Sequence, residues 1–597
     1  MATTVPLRTA YIYDPADHAA ANAQGQNYWY VYIRELMERL GVHADALPPD
    51  ALGDAAMLSQ YGTLFVGPRD VVLLPRRVGT AVEGWVAGGR TLIGFAPDGL
   101  DGPFGVTSPE PIGQPEGDFS VSGYAELQKT PLTAPFLADP YLERRLVIMS
   151  PLRAVAAGEA EELGRLVGPD GADTGLAAIT HRQVGDGHAF YFAFSVPQTL
   201  WVMQQGRPVD EDYDGDGYWR MADAMTLRSE NLEVAHADAL LFLVERMLAE
   251  LPLPAFSRVP PVEGRVAQAA FYWGGDDEAV PEAQVWASDW MCERGLPYHV
   301  NIMPKEGEFA LSADEFRHIR SNGHEPSLHF NFMDGFEHPG GFREGDVDEQ
   351  VRLYREAFGE TPTCTVNHWC RWTGWVEPAR WMLASGVRAD NSRSQRPSPP
   401  LNPAGLIGFG FGTAFPYWTY SDHTGRNRRL EFLNEPIVAY ELGYKAGTDE
   451  RDWETVHRAV DMALAHRLTM NMFYHPPNVA RHATCRDAIE EILGYLGGRD
   501  VPVRHMANDE LYRWWRRRGA SRLTMQEDTR TERLIFDCEV ATHDGIAVTV
   551  PLPRGEQPDA LLNGAATACE HQELWGRQSV SIVVPRGTHT VEIRGEL

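Results

Sequence analysis

Residues 269–278 read AAFYWGGDDE. The apolar start of this run predicts a buried β-strand, Ala269–Trp273, and the glycine pair ends that strand just before Asp276 and Asp277. Barrel enzymes place their reactive groups at such strand ends. An acidic N-cap of the following helix would have the same sequence. The acidic pair alone therefore does not indicate an active site, and other motifs must support that interpretation.

Strands and helices alternate from Ala269 to about Ala520. This rhythm indicates a β/α barrel, or a distorted one, over residues 262–520. The predicted strands are Ala269–Trp273, Tyr298–Ile302, Ser327–Phe330, Thr363–His368, Val387–Asp390 and Leu468–Tyr474. The predicted helices are Glu282–Glu293, Ser312–Ser321, Val347–Phe358, Val376–Ser385, Trp453–Ala465, Ala488–Leu496 and Asp509–Arg517.

The flanks of the barrel have different patterns. Strands such as Thr9–Tyr13 and Thr91–Phe95 alternate with helices before residue 250, which predicts an open parallel α/β sheet. The Pro-rich segment 251–261 predicts a joint, since proline stiffens a linker. Short alternating strands after residue 521 predict a β-sandwich. The predicted fold class is thus α/β multidomain: an N-terminal open α/β sheet domain (1–250), a central distorted β/α barrel (262–520) and a C-terminal β-sandwich (521–597).

Composition narrows the functional classes. The 597 residues carry a net charge of −30, which disfavours a nucleic acid or an anionic membrane as a partner. The six cysteines form no C-x-x-C pair, so neither a disulfide framework nor a structural zinc site is expected. The first residues lack the apolar core of a signal peptide, which makes the cytoplasm the expected location. The sequence leaves open whether the chain forms a homo-oligomer.

The segment Trp85–Gly94, WVAGGRTLIG, lies in the N-terminal domain. It resembles the class I glutamine-amidotransferase-like fold, whose catalytic members require a cysteine nucleophile. The first cysteine of this chain is Cys292, far outside the domain. The resemblance therefore implies a non-catalytic domain that serves assembly or covers a neighbouring site.

Residues 322–331 read NGHEPSLHFN and follow the acidic pair by one βαβ unit. Together the two motifs resemble the polysaccharide deacetylase family (NodB homology, carbohydrate esterase family 4-like). The resemblance implies that Asp276 is the catalytic base and that Asp277 and His329 bind a divalent metal, with zinc expected. His324 falls in the turn, where a structural role is expected.

The second motif departs from the family pattern. The family places another histidine four residues after the first, whereas this chain has Met333, whose thioether is a poor ligand for a hard divalent ion. A third ligand must then come from elsewhere. The candidates are Asn331, Asp334, His338 and His368. We favour His368, because it ends the next predicted strand at the level of the site.

Three later residues match further elements of the same family. Arg371 stands near the position of an arginine that orients the catalytic aspartate, although its flanking residues differ. Asp390 follows the next strand and matches a further catalytic aspartate. His475, at the end of MNMFYH, matches the histidine that acts as general acid. Imidazole suits this role because its pKa lies near neutrality.

Aromatic residues near these motifs are candidates for substrate contacts, because aromatic faces stack on sugar rings. A long insertion at 411–420 adds two of them, and long insertions are often functional. The predicted substrate-binding residues are Trp273, Asn331, Trp372, Tyr417 and Trp418, with Trp369 as a further platform. The alternative is that the aromatic residues simply pack the insertion.

The run Asp210–Gly217, DEDYDGDG, has acids at alternate positions and a glycine at the turn, as calcium loops do. The glutamate expected later in such a loop is absent, because position 221 is Met221. Calcium at Asp210–Asp216 is therefore one interpretation, and a solvated acidic loop is the other.

The ordered set of motifs predicts a metal-dependent hydrolase that acts on an ester or amide of a carbohydrate or related polar compound. Two alternatives remain. The same barrel could cleave a glycosidic bond with a carboxylate pair drawn from Asp276, Asp277, Asp390 and Glu435. A degenerate barrel could also bind sugar, or hold an assembly together, without catalysis.

Overall fold

The computed structural model describes residues 5–68, 76–108, 117–336, 341–396, 406–445, 447–526, 533–552 and 558–595. These residues form a large N-terminal sheet, a curled central sheet with helices between its strands, a separate two-stranded sheet at residues 304–309, and two small C-terminal sheets. The predicted α/β multidomain class is confirmed. The exact domain limits stay a prediction.

The N-terminal sheet has nine strands in the order β2-β1-β3-β4-β9-β8-β7-β5-β6. They are β1 Thr9–Ile12, β2 Ala44–Leu47, β3 Thr63–Val66, β4 Thr91–Phe95, β5 Gly123–Leu127, β6 Arg145–Ile148, β7 Glu161–Val167, β8 Asp173–Val184 and β9 Gly187–Phe192. The helices are α1 Pro15–Ala23, α2 Ile33–Leu40, α3 Ala55–Leu58, α4 Arg76–Ala87, α5 Asp101–Phe104, α6 Ala134–Ala138, α7 Val196–Gln205, α8 Met221–Ala224 and α9 His236–Leu248.

The N-terminal sheet is mixed, which corrects the prediction of a parallel one. Strands β1 to β4 and β9 pair in parallel, but β8 pairs antiparallel with both β7 and β9. Two residues separate β8 from β9, and only antiparallel strands can be joined by so short a turn. The next strand, β10 (Ala255–Phe256), lies within the predicted joint.

The central sheet is built from strands between residues 269 and 506. The strands of this region are β11 Ala269–Asp276, β12 His299–Ile302, β13 Pro304–Lys305, β14 Glu308–Phe309, β15 Glu325–Phe330, β16 Cys364–Asn367, β17 Ala389–Asp390, β18 Leu406–Ile407, β19 Tyr417–Tyr420, β20 Arg429–Asn434, β21 Ala439–Tyr440, β22 Thr469–Phe473 and β23 Val503–Met506. The helices are α10 Ala283–Cys292, α11 Ala313–Ser321, α12 Glu344–Phe358, α13 Glu377–Ala384, α14 Trp453–His466, α15 Pro476–Arg481, α16 Ala483–Gly497 and α17 Asn508–Ala520.

Parallel pairing runs through β21-β22-β11-β12-β15-β16-β17-β20. β18 and β19 add antiparallel edges, and β23 pairs with the first half of β11. Among the described strands the two edges do not pair with each other, so the sheet curls without closing. The carboxyl ends of the parallel strands consequently share one rim.

The glycine pair lets β11 approach its neighbours closely. A Cβ at Gly275 would overlap the carbonyl oxygen of Tyr474, and one at Gly274 would lie 2.9 Å from Asn508 Oδ1. Tyr474 N also donates a hydrogen bond of 2.8 Å to Gly274 O. The two glycines thus fix the end of β11 against the end of β22, and Asp276 follows directly.

The C-terminal strands form two sheets, β10-β26-β30-β29 and β24-β25-β31-β27-β28. Their bounds are β24 Arg522–Met525, β25 Arg533–Val540, β26 Ile546–Pro551, β27 Asp559–Leu562, β28 Ala565–Ala566, β29 Glu570–Leu574, β30 Arg577–Val584 and β31 Gly587–Arg594. The segment predicted as a joint thus contributes a strand to this part of the chain. Among the described helices, none has the length and apolar character needed to span a membrane.

Candidate functional site

Five titratable side chains meet at the rim of the central sheet. His329, in β15, has its Nε2 atom 3.1 Å from His368 Nδ1 and 3.5 Å from Asp276 Oδ2. Glu278 bridges two histidines, with Oε2 3.4 Å from His368 Nδ1 and Oε1 3.5 Å from His475 Nε2. Potential ligand atoms of Glu278, His329 and His368 lie within 4.8 Å of one another. The same holds for Asp276, Glu278 and His475.

Burial controls the charge of this cluster. Burial and the neighbouring His368 lower the pKa of His329 to about 3, so its ring is neutral at pH 7. His329 Nδ1 lies 3.2 Å from Val366 O; a proton on Nδ1 leaves a lone pair on Nε2, facing the other side chains. Burial also raises the pKa of Asp276 well above its usual value. Although burial opposes ionisation of Glu278, the three histidines lower its pKa to about 2.

His475 occupies the N-cap position of α15, two residues after Phe473, the last residue of β22. Its Nδ1 atom lies 2.6 Å from Glu441 Oε1, and its backbone N–H donates to the same oxygen at 2.8 Å. Burial by itself would lower the pKa of His475, but Tyr440, Glu278 and Glu441 together raise it well above its usual value. A protonated imidazole between two carboxylates is suited to donating a proton.

Two residues of this site were not predicted as such. Glu278 is the third acid of the DDE run, which was a usable signal. Glu441 follows a strand of only two residues and has a φ of 49°, so nothing in its sequence surroundings pointed to it. Its position depends on the pairing of β21 with β22.

Asp277 does not point into the cluster, which corrects its predicted role as a metal ligand. Its Oδ1 accepts hydrogen bonds from the backbone N–H groups of Ala279 and Met303, both at 2.9 Å, and its Oδ2 accepts one of 2.7 Å from Gln284. Burial raises the pKa of Asp277 to about 7. These bonds fasten the loop after β11, and Glu278 takes the place beside the histidines.

Arg371 and Asp390 also have partners outside the cluster. Arg371 is buried, with Nη1 3.9 Å from Met333 Sδ and its guanidinium carbon 5.6 Å from the centre of the Tyr218 ring. Asp390 ends β17 and accepts hydrogen bonds from the backbone and hydroxyl of Ser392, while burial raises its pKa to about 6. The roles predicted for both residues therefore do not follow from these contacts.

Four predicted substrate contacts expose 1% of their surface or less: Trp273, Trp372, Tyr417 and Trp418. Trp273 donates to His505 at 3.1 Å inside the curled sheet. Trp418, in β19, donates to Glu38 of α2 at 2.8 Å. The insertion thus packs against the N-terminal part, and its rings cannot stack on a ligand.

Asn331 is likewise occupied. Its amide nitrogen donates to Pro304 O at 3.0 Å and to Asp334 Oδ2 at 2.9 Å, and its Oδ1 accepts the backbone N–H groups of Met333 and Asp334. These bonds shape the loop after β15 rather than a substrate contact. His338, another ligand candidate, lies outside the described residues.

Of the aromatic residues predicted to contact substrate, Trp369 is exposed at the cavity. It follows His368 with a φ of 57°, exposes 47% of its surface, and lines a cavity of about 320 Å³ together with Asp276, Glu278 and His475. The Arg220 guanidinium of the N-terminal part lies 4.5 Å from the centre of its ring. The N-terminal part therefore reaches the wall of the site.

The acidic loop lies next to this wall. Carboxylate oxygens of Asp212, Asp214 and Asp223 lie within 4.8 Å of one another. Counted from Asp212, Asp223 is the twelfth position, where calcium loops place an acid; counted from Asp210, that position is Met221. Calcium at this loop stays a prediction.

No protein-family model and no curated protein matches the chain. Partial similarity is found to solved structures. The β-galactosidase from Rahnella sp. R3 shares 16% identity over 33% of this chain and 30% of its own, with a TM-score of 0.25. The β-galactosidase from Bacillus circulans sp. alkalophilus shares 17% identity over 32% of this chain and 30% of its own, with a TM-score of 0.25. α-L-Fucosidase isoenzyme 2 from Paenibacillus thiaminolyticus shares 14% identity over 32% of this chain and 30% of its own, with a TM-score of 0.23. The chain thus spans about a third of these proteins.

Proposed function

We propose that this chain is a metal-dependent hydrolase that cleaves an ester or amide on a carbohydrate or related polar compound. The observation that carries the proposal is the meeting of Glu278, His329 and His368 at the strand ends. Two imidazoles and a carboxylate are a frequent ligand set of catalytic zinc. In addition, Asp276 Oδ1 is buried and has no hydrogen-bond partner among the described residues, an arrangement that is costly unless a ligand satisfies it.

Zinc would be held by Glu278, His329 and His368, and it would supply a Lewis acid that polarises the scissile carbonyl. Asp276 lines the cavity at the end of β11. Burial alone favours its protonated form, whereas a cation bound beside it would favour the carboxylate, which would then accept the proton of the attacking water. His475 donates a proton to the nitrogen or oxygen of the leaving group. Glu441 fixes the imidazole of His475 and favours its charged form.

Trp369 gives the site its preference for carbohydrate. Its exposed ring forms part of the cavity wall beside the reacting groups, and the apolar face of a sugar packs on such a ring. The cavity, at about 320 Å³, is of the size that small-molecule sites have.

Most of the carboxylates predicted for the glycosidase alternative do not line the cavity. Of the four considered, Asp276 lines the cavity, whereas Asp277 and Asp390 are fastened elsewhere. Glu435 is buried within the sheet and accepts a hydrogen bond of 2.8 Å from Asn508. A glycosidase on this chain would have to use Asp276 with Glu278, both of which contact the same histidine cluster.

One experiment separates these functions. The purified chain is dialysed against zinc, its metal content is measured, and release of acetate from N-acetylated oligosaccharides is assayed with and without chelator. We expect about one zinc per chain and activity that chelator abolishes and zinc restores. His329→Ala should lose both metal and activity, whereas His543→Ala, an exposed control, should lose neither.

Cleavage of aryl glycosides that is indifferent to chelator but lost in Asp276→Asn would overturn the proposal in favour of the glycosidase. Absence of bound zinc and of both activities would favour a non-catalytic sugar-binding protein.

A further inference from the structure

A second cavity lies at the edge of the N-terminal sheet, where β1 and β2 end. Its volume is about 530 Å³, and it is lined by Tyr13, His18, Arg34, Leu47, Arg426 and Arg428, among others. The cavity lies at the carboxyl ends of these two parallel strands. Nothing in the proposed hydrolase site uses this cavity.

Three guanidinium groups border the cavity without a carboxylate partner among the described residues. Arg34, on α2, lies over the ring of Tyr13, with 4.7 Å between its guanidinium carbon and the ring centre. Arg426 and Arg428 come from the loop between β19 and β20. Their neighbour Arg429 shows the contrast, because it pairs with Glu38 at 2.6 Å and with Glu431 at 2.9 Å. All three side chains are exposed, and Arg34 also hydrogen-bonds to Tyr11, so together they form a local cationic patch on a chain of net charge −30.

The loop that carries two of these arginines is held in place. Between them, Asn427 is buried and its Oδ1 accepts hydrogen bonds from Asn22 Nδ2 at 2.6 Å and from Tyr28 N at 2.9 Å. Arg426 and Asn427 adopt φ values of 62° and 47°, a left-handed conformation that asparagine accepts readily and arginine rarely. The two parts of the chain therefore build the cavity together, and the backbone that carries Arg426 and Arg428 is held in place.

We propose that this cavity binds a phosphate group, either free or carried by a small molecule. Guanidinium groups pair with phosphate through two parallel hydrogen bonds, and the three terminal oxygens of a phosphate can engage three arginines. A carboxylate has two oxygens and one charge, so it would leave part of this cationic set unpaired. The wall formed by Tyr13, Leu47 and the nearby prolines leaves room for the organic part of a phosphate ester.

The test is calorimetric titration of the full chain with inorganic phosphate, glucose 6-phosphate and succinate at constant ionic strength. We expect saturable binding of one phosphate per chain and weaker binding of succinate. Tighter binding of glucose 6-phosphate than of phosphate would assign the site to an ester, and the reverse order would assign it to the free ion.

Arg34→Gln and Arg428→Gln should each weaken phosphate binding by about tenfold or more. Arg517→Gln removes the same charge from an exposed position on α17 and should leave binding unchanged. Circular dichroism verifies that each variant is folded. The proposal is overturned if phosphate shows no saturable binding, if succinate binds as tightly, or if the Arg34 and Arg428 variants bind like the parent.

Discussion

Glu441 accepts two hydrogen bonds from His475 on one oxygen: Nδ1 lies 2.6 Å and the backbone nitrogen 2.8 Å from Oε1. This pair joins the ends of two adjacent strands, β21 and β22, at the rim that also carries Asp276. The imidazole is therefore held in one orientation, with Nε2 turned toward Glu278 and the cavity.

Glu441→Gln tests the role of this pair. The amide keeps the shape of the side chain but removes the charge that favours protonated His475. We expect kcat to fall by about 100-fold, with a small change in KM, because a positioned acid contributes in that range. Steady-state kinetics measure the split between kcat and KM. Glu356→Gln, on the exposed face of α12, serves as control, and an unchanged kcat in Glu441→Gln would contradict the role.

Adjacent aspartates should give opposite phenotypes. Asp276→Asn should abolish hydrolysis while the protein stays folded, because this residue is the proposed base. Asp277→Asn should instead lower the free energy of unfolding by about 2 kcal/mol, since its carboxylate accepts three hydrogen bonds that hold the loop. Rates and urea unfolding of both variants test this division, and a stable, inactive Asp277→Asn would refute it.

The close approach at Gly275 predicts a sharp sensitivity to a single methyl group. Gly275→Ala places a Cβ against the carbonyl oxygen of Tyr474, so we expect a loss of about 1–3 kcal/mol in stability and displacement of Asp276. Gly84→Ala in α4 meets nothing within 4 Å and should stabilise by about 0.5–1 kcal/mol. Thermal unfolding compares the two, and equal effects would contradict the packing described for β11.

Glu35 makes stability depend on pH. Burial and the neighbouring Glu38 raise the pKa of Glu35 from 4.5 to about 8. As the pH rises, the unfolded state therefore loses this proton first, and the group lowers stability progressively between pH 4.5 and 8.

Glu35→Gln keeps an oxygen acceptor for Trp418 N and removes the ionisation. The variant should thus be more stable than the parent at pH 9, by at least about 1 kcal/mol, and similar to it at pH 4. Urea unfolding at the two pH values checks the sign. A gain that is the same at both values would show that ionisation of Glu35 is not its cause.

Strong local patterns made part of the site predictable. The apolar runs around Asp276, His329 and His475 indicated the strands β11, β15 and β22, and the carboxyl ends of parallel strands meet on one rim. His368 was predicted beside them by the same reasoning, and the structure brings it within 3.1 Å of His329. The roles of Asp276, His329 and His475 were implied by the resemblance to polysaccharide deacetylases, whereas the choice of His368 rested on strand order.

Packing between distant segments was not predictable in this way. Trp418 is of the residue type expected to stack on a sugar, yet it is buried, because α2, nearly four hundred residues earlier in the chain, covers it. Which of two adjacent aspartates faces the rim depended on the hydrogen bonds of the loop after β11, including one from Met303. The position of Glu441 could not be predicted, because it depends on the pairing of a strand of only two residues.

In the proposed function, Glu278, His329 and His368 bind a metal ion at the strand ends. The most direct measurement is anomalous diffraction at the zinc absorption edge from crystals of the zinc-loaded protein. We predict one strong peak at about 2.0–2.3 Å from an oxygen of Glu278, His329 Nε2 and a ring nitrogen of His368. Zinc-loaded crystals that show no peak at these three side chains, or a peak that persists in His329→Ala, would contradict the claim.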